Sequence, residues 1–302
     1  MSPSLDRTMR PTPSEHAAVI TSKKNQWLKR YRAALAGEQN APKGLMGLEG
    51  AKLIETALDA GLQVESILVS ESGKRHLSRL GHKVPSSTRI LRTTDRLFAS
   101  VSETRSPQGV AALVRSRTAS LDDLLRGTAL IAVLIGVQDP GNVGTILRAA
   151  EAFGATGAAT CAVGATGTAN PFAPKAVRAS AGSVLTLPIL PGVSSTILLA
   201  QLRVAGVRIF AAVPTAHAPT EHGDAALPPL LAPWEANWKP PSALLIGNEG
   251  AGLPFELVRS ADARVSIPQA ARGKGAGPES LNAAIAAAVL LYEASRQRGG
   301  VS

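Results

Sequence analysis

Six apolar runs that do not alternate with polar residues constrain this chain more than any other feature. They cover residues 130–135, 157–163, 184–190, 207–213, 243–246 and 263–267. A strand with one wet face alternates, whereas a strand covered on both faces is continuously apolar, as in parallel sheets flanked by helices. Segments of helical period separate most of the runs, at 143–153, 174–181, 195–205 and 253–260. A last helix is predicted over 280–297, with Leu281, Ile285, Ala288, Val289 and Tyr292 along its apolar face. Residues 130–298 therefore read as a parallel-sheet α/β domain. Residues 214–241 break the rhythm with seven prolines and read as an irregular excursion. Aromatics make up only 3% of the chain, so aliphatic residues must build the core.

The preceding part reads differently. A basic amphipathic helix is predicted over 22–36, with Trp27, Tyr31 and Leu35 on the packed face and Lys23, Lys24, Lys29, Arg30 and Arg32 around it. A second helix, 49–60, carries Leu53, Ile54, Ala57 and Leu58 on one face. Strands at 64–69, 89–92 and 109–114 alternate with helices at 74–80 and 95–101. This makes residues 21–117 a small α/β domain. Residues 118–129 read as a linker with one helical turn, and residues 1–20 as a disordered tail.

Charge separates the two parts. Residues 1–127 carry 20 Lys/Arg against 12 Asp/Glu, a net of +8, whereas residues 128–302 carry 12 against 10, a net of +2. A basic first part suits a polyanion, although a solvated basic surface has the same composition. Cys161, the single cysteine, excludes an internal disulfide and a cysteine-based metal site, and fits a reducing, cytoplasmic setting. The five histidines show no metal-ligand spacing, so no metal is expected. No apolar run approaches the roughly 20 residues of a membrane span.

Three polar, Gly-rich turns follow strands of the second part. The first is Asp139-Pro-Gly-Asn-Val-Gly-Thr-Ile-Leu-Arg148. Asn142 is predicted at or near a helix N-cap. Helical side chains lean toward the N-terminus, so Arg148 lies over Gly144, which can leave a groove for the guanidinium. A plain capping Asn, a packing Gly and an Arg148–Glu151 pair account for the same residues. The second turn, Gly247-Asn-Glu-Gly-Ala-Gly-Leu-Pro254, surrounds Glu249 with glycines and no nearby cation. That suits orienting a hydroxyl, an amine or a cationic cofactor; a solvated loop carboxylate is the plainer reading. The third runs from Ile267 to Asn282, where Glu279, Ser280 and Asn282 cluster at a helix start and can cap it, with or without a functional role. In a parallel sheet the carboxyl ends share one edge, so the three turns can converge there. Phosphate-loop, dinucleotide-binding and Ser/His/Asp patterns are absent from the sequence.

Taken together, the turns resemble the three motifs of the SpoU (TrmH) family of RNA ribose 2′-O-methyltransferases. Asn142, Gly144 and Arg148 match N-x-G-x-x-x-R; Ile246 to Pro254 match the second motif; Ile267-Pro268 and Glu279-Ser-Leu-Asn282 match the third. Ten residues, including Arg272 and Lys274, separate Pro268 from Glu279, about twice the usual span. Residues 21–117, with Leu48-Glu-Gly50 and Ser106-Pro-Gln-Gly-Val110, resemble that family's N-terminal substrate-binding domain of ribosomal-protein-like fold.

The resemblance implies a SPOUT domain with a deep trefoil knot, S-adenosylmethionine as cofactor, a homodimer, and structured RNA as substrate, rRNA before tRNA. It implies cofactor contacts at Gly247, Ile267 and Leu281. Arg148 is implied at the ribose 2′-hydroxyl, with Asn142, Glu249, Ser280 and Asn282 shaping the site. Two other readings stand beside it: a non-catalytic RNA-binding or ribosome-assembly factor on the same scaffold, and a small-molecule α/β enzyme with an incidental basic domain.

Overall fold

The computed structural model describes residues 18–163, 166–214, 227–270 and 280–300. The chain divides into two compact units, residues 1–116 and 117–302.

The first unit is a mixed sheet with helices. Its elements are β1 (Ala18–Ile20), α1 (Gln26–Ala36), β2 (Leu45–Glu49), α2 (Ala51–Asp59), β3 (Val64–Val69), α3 (Lys74–Leu80), β4 (Arg89–Thr93), α4 (Asp95–Ala99) and β5 (Val110–Arg115). The strand order is β1-β4-β3-β5-β2, parallel through β1, β4 and β3 and antiparallel across β5. Two strands depart from the sequence reading. Residues 18–20 fall in the expected tail yet pair with Leu91 to Thr93, and Ile20 is buried beneath α1. β2 occupies residues placed before or at the start of a helix. Gly47 at its centre is a packing residue: a Cβ there would lie 2.8 Å from the Ala34 backbone, so α1 crosses β2 directly over it. Asn25 caps α1 by accepting from the Trp27 amide, and Gly37, at φ 73°, closes it. Leu28, Tyr31 and Leu35 enter the core, while Trp27 is only half-buried. Burial pushes the Tyr31 hydroxyl far above its usual range, where it stays neutral against Ser66 at 3.0 Å.

The second unit contains α5 (Leu121–Leu124), β6 (Leu130–Ile135), α6 (Pro140–Ala152), β7 (Gly157–Val163), β8 (Thr166–Gly167), α7 (Pro174–Ala179), β9 (Ile189–Ser194) and α8 (Ser195–Val204). It continues with β10 (Arg208–Ala212), β11 (Leu230–Leu231), β12 (Ser242–Ile246), α9 (Phe255–Arg259), β13 (Ala263–Val265) and α10 (Ala283–Gln297). The strand order is β11-β13-β10-β12-β6-β7-β9, and the two-residue β8 pairs with the end of β7 on the edge opposite β9; only the β7–β8 pair is antiparallel. Every residue of β6 and β12 is buried, as their unbroken apolar character requires. Among the described residues no helix is long and apolar enough to cross a membrane.

Three expectations need correction here. The run at 184–190 is not one strand. Ala181 and Gly182 turn the chain at positive φ, a short 3₁₀ turn takes Ser183–Leu185, and β9 begins at Ile189. β9 pairs only with β7, so Pro191, which lacks a donor, is tolerated in it. Residues 118–129 are not a free linker, because the Ala119 amide donates to the Ile189 carbonyl and Leu124 is wholly buried in this unit's core. The buried face of α10 is formed by Ala284, Ala287, Leu290, Leu291 and Ala294. Ile285, Val289 and Tyr292, expected on the packed face, are 55%, 39% and 44% exposed. This helix is apolar on two faces, and the small alanines let it lie close against α6. At its end Arg298 donates to four carbonyls, those of Trp238, Thr128, Ala129 and Pro240, at 2.7–3.0 Å.

Candidate active site at the carboxyl edge of the sheet

β6 and β12 are neighbours in register, Leu134 opposite Ile246, so the turns that follow them leave the sheet side by side. After β6, Asp139 caps α6 by accepting from the Gly141 amide, and Pro140 takes the first helical position. The Lys175 ammonium beside Asp139 holds that carboxyl below its usual range. Asn142 is thus inside the first turn of the helix and is not its cap. The Asp-Pro pair in the sequence signals this start, since Pro suits the first helical position.

After β12 the chain folds back on itself. Asn248 and Gly252 exchange backbone hydrogen bonds, both 3.0 Å, and Gly252 stands at φ 69°. A Cβ on Gly247 would lie 2.4 Å from the Gly252 carbonyl carbon, so only glycine permits this closure. Asn248 holds the loop from within: its side-chain oxygen accepts from the Gly250 and Ala251 amides at 2.9 Å, and its nitrogen donates to the Gly136 carbonyl at 2.9 Å. An Asn two residues before a glycine is the sequence signal for such a turn.

Glu249 then points at the first turn. It accepts from the amides of Gln138 and Asp139 at 3.2 and 3.1 Å, and from the Asn142 side chain at 2.9 Å. Partial burial raises its pKa, but the bonds from Asn142 and those backbone amides outweigh burial, and the carboxyl ends below its ordinary value. It is an ionised clasp between two turns, not a free acceptor waiting for a hydroxyl or an amine. From the third turn, Asn282 caps α10 by accepting from the Ala284 and Ile285 amides, and its nitrogen donates to the Asn142 oxygen at 3.1 Å. Glu249, Asn142 and Asn282 therefore form one hydrogen-bonded chain across the three turns.

Beside this chain is a cleft at the ends of β10, β12 and β13. Apolar side chains of Val213, Ile246, Ile267, Leu281 and Leu290 line it, together with Gly247, Glu249 and Ser280. The three expected cofactor contacts, Gly247, Ile267 and Leu281, all belong to this wall, and Ser280 lies exposed at its edge. Glu279, Arg272 and Lys274 lie outside the described residues.

Arg148 is placed apart. It is exposed on α6, about 9 Å along the helix from Asn142 at 1.5 Å per residue. Among the described residues it has no ion-pair partner. Gly144 does not open a groove for it: a Cβ there would meet the Ala176 carbonyl at 2.3 Å and the Ala179 side chain at 2.7 Å, so Gly144 lets α7 pack on α6. Glu151, a possible partner for Arg148, bonds Thr186 instead. Among the described residues no group of three or more His, Cys, Asp or Glu is arranged to hold a metal ion.

Comparison with known proteins identifies both parts of the chain. Residues 129–292 match the SpoU rRNA Methylase family, and residues 41–112 match the MRM3-like substrate binding domain. The chain is 32% identical to an uncharacterised tRNA/rRNA methyltransferase of Synechocystis, over 94% of this chain and 96% of that one. It is 29% identical to the Bacillus subtilis 23S rRNA (guanosine(2553)-2′-O)-methyltransferase RlmP, over 90% and 97% of the two chains. Among solved structures, an AdoMet-bound rRNA methyltransferase from Sinorhizobium meliloti superposes with a TM-score of 0.75 at 30% identity, covering 93% of this chain and 98% of that one. The SpoU methyltransferase AviRb from Streptomyces viridochromogenes, in complex with AdoMet, gives 0.74 at 28% identity, over 91% and 99%. With the three motifs assembled at one sheet edge, and likeness along nearly the whole length, the chain belongs to the SpoU rRNA methylase family.

Proposed function

We propose that this protein transfers a methyl group from S-adenosylmethionine to a ribose 2′-hydroxyl of ribosomal RNA, in the cytoplasm and as a homodimer. The observation that carries the reading is the Glu249–Asn142–Asn282 chain, which fixes three turns around one apolar cleft.

The cleft fits the cofactor in kind. Its apolar wall suits an adenosyl group, the missing side chain at Gly247 brings backbone close, and the ionised Glu249 at its edge suits a sulfonium. Gly247, Ile267 and Leu281 would hold the cofactor there. When bound, it supplies an electrophilic methyl group. Positioning then provides much of the rate, because displacement needs the hydroxyl in line with the methyl group.

The hydroxyl must lose its proton near the transition state. Glu249 is a poor base, since three donors already occupy its oxygens. Arginine is poorer still, with a pKa above about 12. Arg148 instead stabilises the developing alkoxide, and its guanidinium, exposed and without an ion-pair partner among the described residues, is placed to meet an RNA chain. Asn142, Glu249, Ser280 and Asn282 shape the site around it.

The remaining assignments belong to the same proposal. The exposed stripe of Ile285, Val289 and Tyr292, with Phe153 edge-on to Tyr292 at 5.6 Å, supports a second copy packing there. The trefoil knot is supported by the order β10-β12-β6, in which a late strand is inserted between two earlier ones. Residues 21–117 would serve as the substrate-binding domain, 118–129 as its connection, and 130–298 as the methyltransferase domain. Ribosomal RNA is favoured because relatives covering nine-tenths or more of this chain are named for 23S rRNA.

The test is methyl transfer from labelled S-adenosylmethionine to an unmodified 23S rRNA transcript, followed by alkaline hydrolysis. A labelled, alkali-resistant dinucleotide is expected, because a 2′-O-methyl group blocks cleavage. Label confined to bases would overturn the ribose assignment. RNA binding without S-adenosylmethionine binding would leave only a non-catalytic factor.

A further inference from the structure

One surface of the first unit lies largely ahead of the residues matched to the substrate-binding domain, 41–112, and reaches into them only at the start of β4. It is built from the approach to α1, α1 itself and the start of β4. Leu28, Tyr31 and Leu35 turn into the core and leave a basic outer face. Lys23, Lys24 and Lys29 are exposed on it, and none has a carboxylate partner among the described residues. Three lysines of the unit's other helices and loops do: Lys52 and Lys83 meet Glu55, Lys83 also meets Asp59, and Lys74 meets Glu71; Lys43, in the loop before β2, does not.

Beside the outer face, half-buried against the core, stands Trp27. The Arg30 guanidinium lies 4.5 Å from its ring centroid and that of Arg89 lies 5.1 Å away. The two arginines differ. Arg30 is neutralised by Glu65 at 2.6 Å, whereas Arg89 is exposed and has no carboxylate partner among the described residues. Stacking on an aromatic ring uses the π-face of a guanidinium and leaves its in-plane N–H donors unspent. It also fixes a side chain that otherwise loses rotamer freedom when a ligand arrives. A stacked arginine with no carboxylate partner, and three such lysines spread over α1 and its approach, suit an extended row of phosphates better than one small anion.

We propose that α1 and the start of β4 form an RNA-backbone-binding surface, with Arg89 held against Trp27 as its anchor and Lys23, Lys24 and Lys29 as its flanking cations. It deepens, and rests on, the reading of this chain as an RNA methyltransferase. It adds a contact region to the substrate-binding unit that reads phosphates and therefore contributes affinity more than sequence choice.

The test uses the full chain and an unmodified 23S rRNA transcript, with dissociation constants measured over a range of KCl concentrations. Each lost phosphate contact lowers the slope of log affinity against log salt by about 0.7–0.9. The variant K23A/K24A/K29A is expected to lose about 2–3 in slope and roughly tenfold or more in affinity near 0.1 M salt. Arg89→Ala should lose about one in slope, while Arg89→Lys should keep the slope and still bind less tightly. S-adenosylmethionine binding by calorimetry and the melting temperature should stay at the wild-type values for the lysine variant. Wild-type affinity and slope in K23A/K24A/K29A would overturn the proposal, as would a loss of binding to another protein with RNA affinity unchanged. If the wild-type chain methylates no rRNA yet these variants still weaken RNA binding, the proposed reaction falls and the surface stands.

Discussion

The Asn282 side-chain nitrogen donates to the Asn142 side-chain oxygen at 3.1 Å, across 140 residues of chain. Each amide also serves its own neighbourhood: Asn282 caps α10, and Asn142 donates to Glu249. Substituting either therefore breaks a local bond and a long-range one together. Asn282→Ala is expected to cost about 1–2 kcal/mol from the cap alone. Asn142→Asp should be worse than Asn142→Ala, because it puts a second carboxylate against Glu249. Thermal melts of the three variants, with S-adenosylmethionine binding by calorimetry, check the order.

Glu249 carries a pH prediction. Hydrogen bonds to its ionised form depress its folded pKa below the unfolded value of about 4.3. A depressed carboxylate contributes stability that is fully present above the unfolded pKa and is lost as pH falls through the folded one. The clasp should therefore hold at neutral pH and release only below about pH 4. Glu249→Gln should lower the melting temperature at pH 7, and the difference from wild type should shrink as pH falls below that point. A difference constant from pH 7 to pH 3 would show that the charge on Glu249 is not what joins the turns.

Gly144→Ala tests what that glycine does. The added carbon would overlap the Ala176 carbonyl, which is backbone and cannot swing away. A loss of about 1–3 kcal/mol is expected from this overpacking, read by denaturant unfolding. If Gly144 instead served as a passage for Arg148, activity would fall with stability unchanged.

Arg148 should behave in the opposite way. It is exposed and unpaired among the described residues, so Arg148→Ala should alter stability by no more than about 0.5 kcal/mol. Methyl transfer should fall by roughly 100- to 1,000-fold, as for removal of an oxyanion donor. Arg148→Lys should recover little of this if the planar fork matters, and near-full activity in that variant would remove the need for it. Initial rates at saturating S-adenosylmethionine separate these outcomes.

Ala181 offers a stabilising change. It is the only non-glycine at positive φ among the described residues, at 52°, and it precedes Gly182 at 103°. A left-handed alanine costs roughly 1 kcal/mol, part of which glycine returns as backbone entropy. Ala181→Gly should raise the melting temperature by a degree or more. A fall would mean that the alanine methyl makes a contact outweighing its backbone cost.

The sequence reveals β6 and β7 with their full extents, because strands covered on both faces read as unbroken runs of small and aliphatic residues, with a single buried hydroxyl at Thr160. It conceals β1, whose three residues are too few to show a period, and β2, where Gly47 looks like a breaker although α1 requires it. Pro191 and Gly192 hide β9 in the same way, since both are tolerable only because the strand lies at an edge. At the site, residue types and spacing point to three turns that meet, but not to what each side chain touches. Asp139 and Asn142 are both residue types that cap helices, and only the fold shows that Asp139 takes that place, with Asn142 in the turn that follows. The amides that hold Glu249 lie 110 and 111 positions away in sequence, so its clasp leaves no local signal. Both faces of α10 are apolar, so burial, not composition, distinguishes the packed one.

The four carbonyls gathered by Arg298 have a consequence for the order in which the molecule can be made. Thr128 and Ala129 lead into β6 and precede nearly all of the second unit, while Arg298 follows nearly all of it. A chain emerging from its own ribosome exposes the start of β6 about 170 residues before the group that closes it. The Arg298 bonds, and α10 with the Asn282 cap at its start, cannot form during that interval. Assembly of this cleft is therefore an event of late synthesis, and until then the apolar strands need shielding from one another.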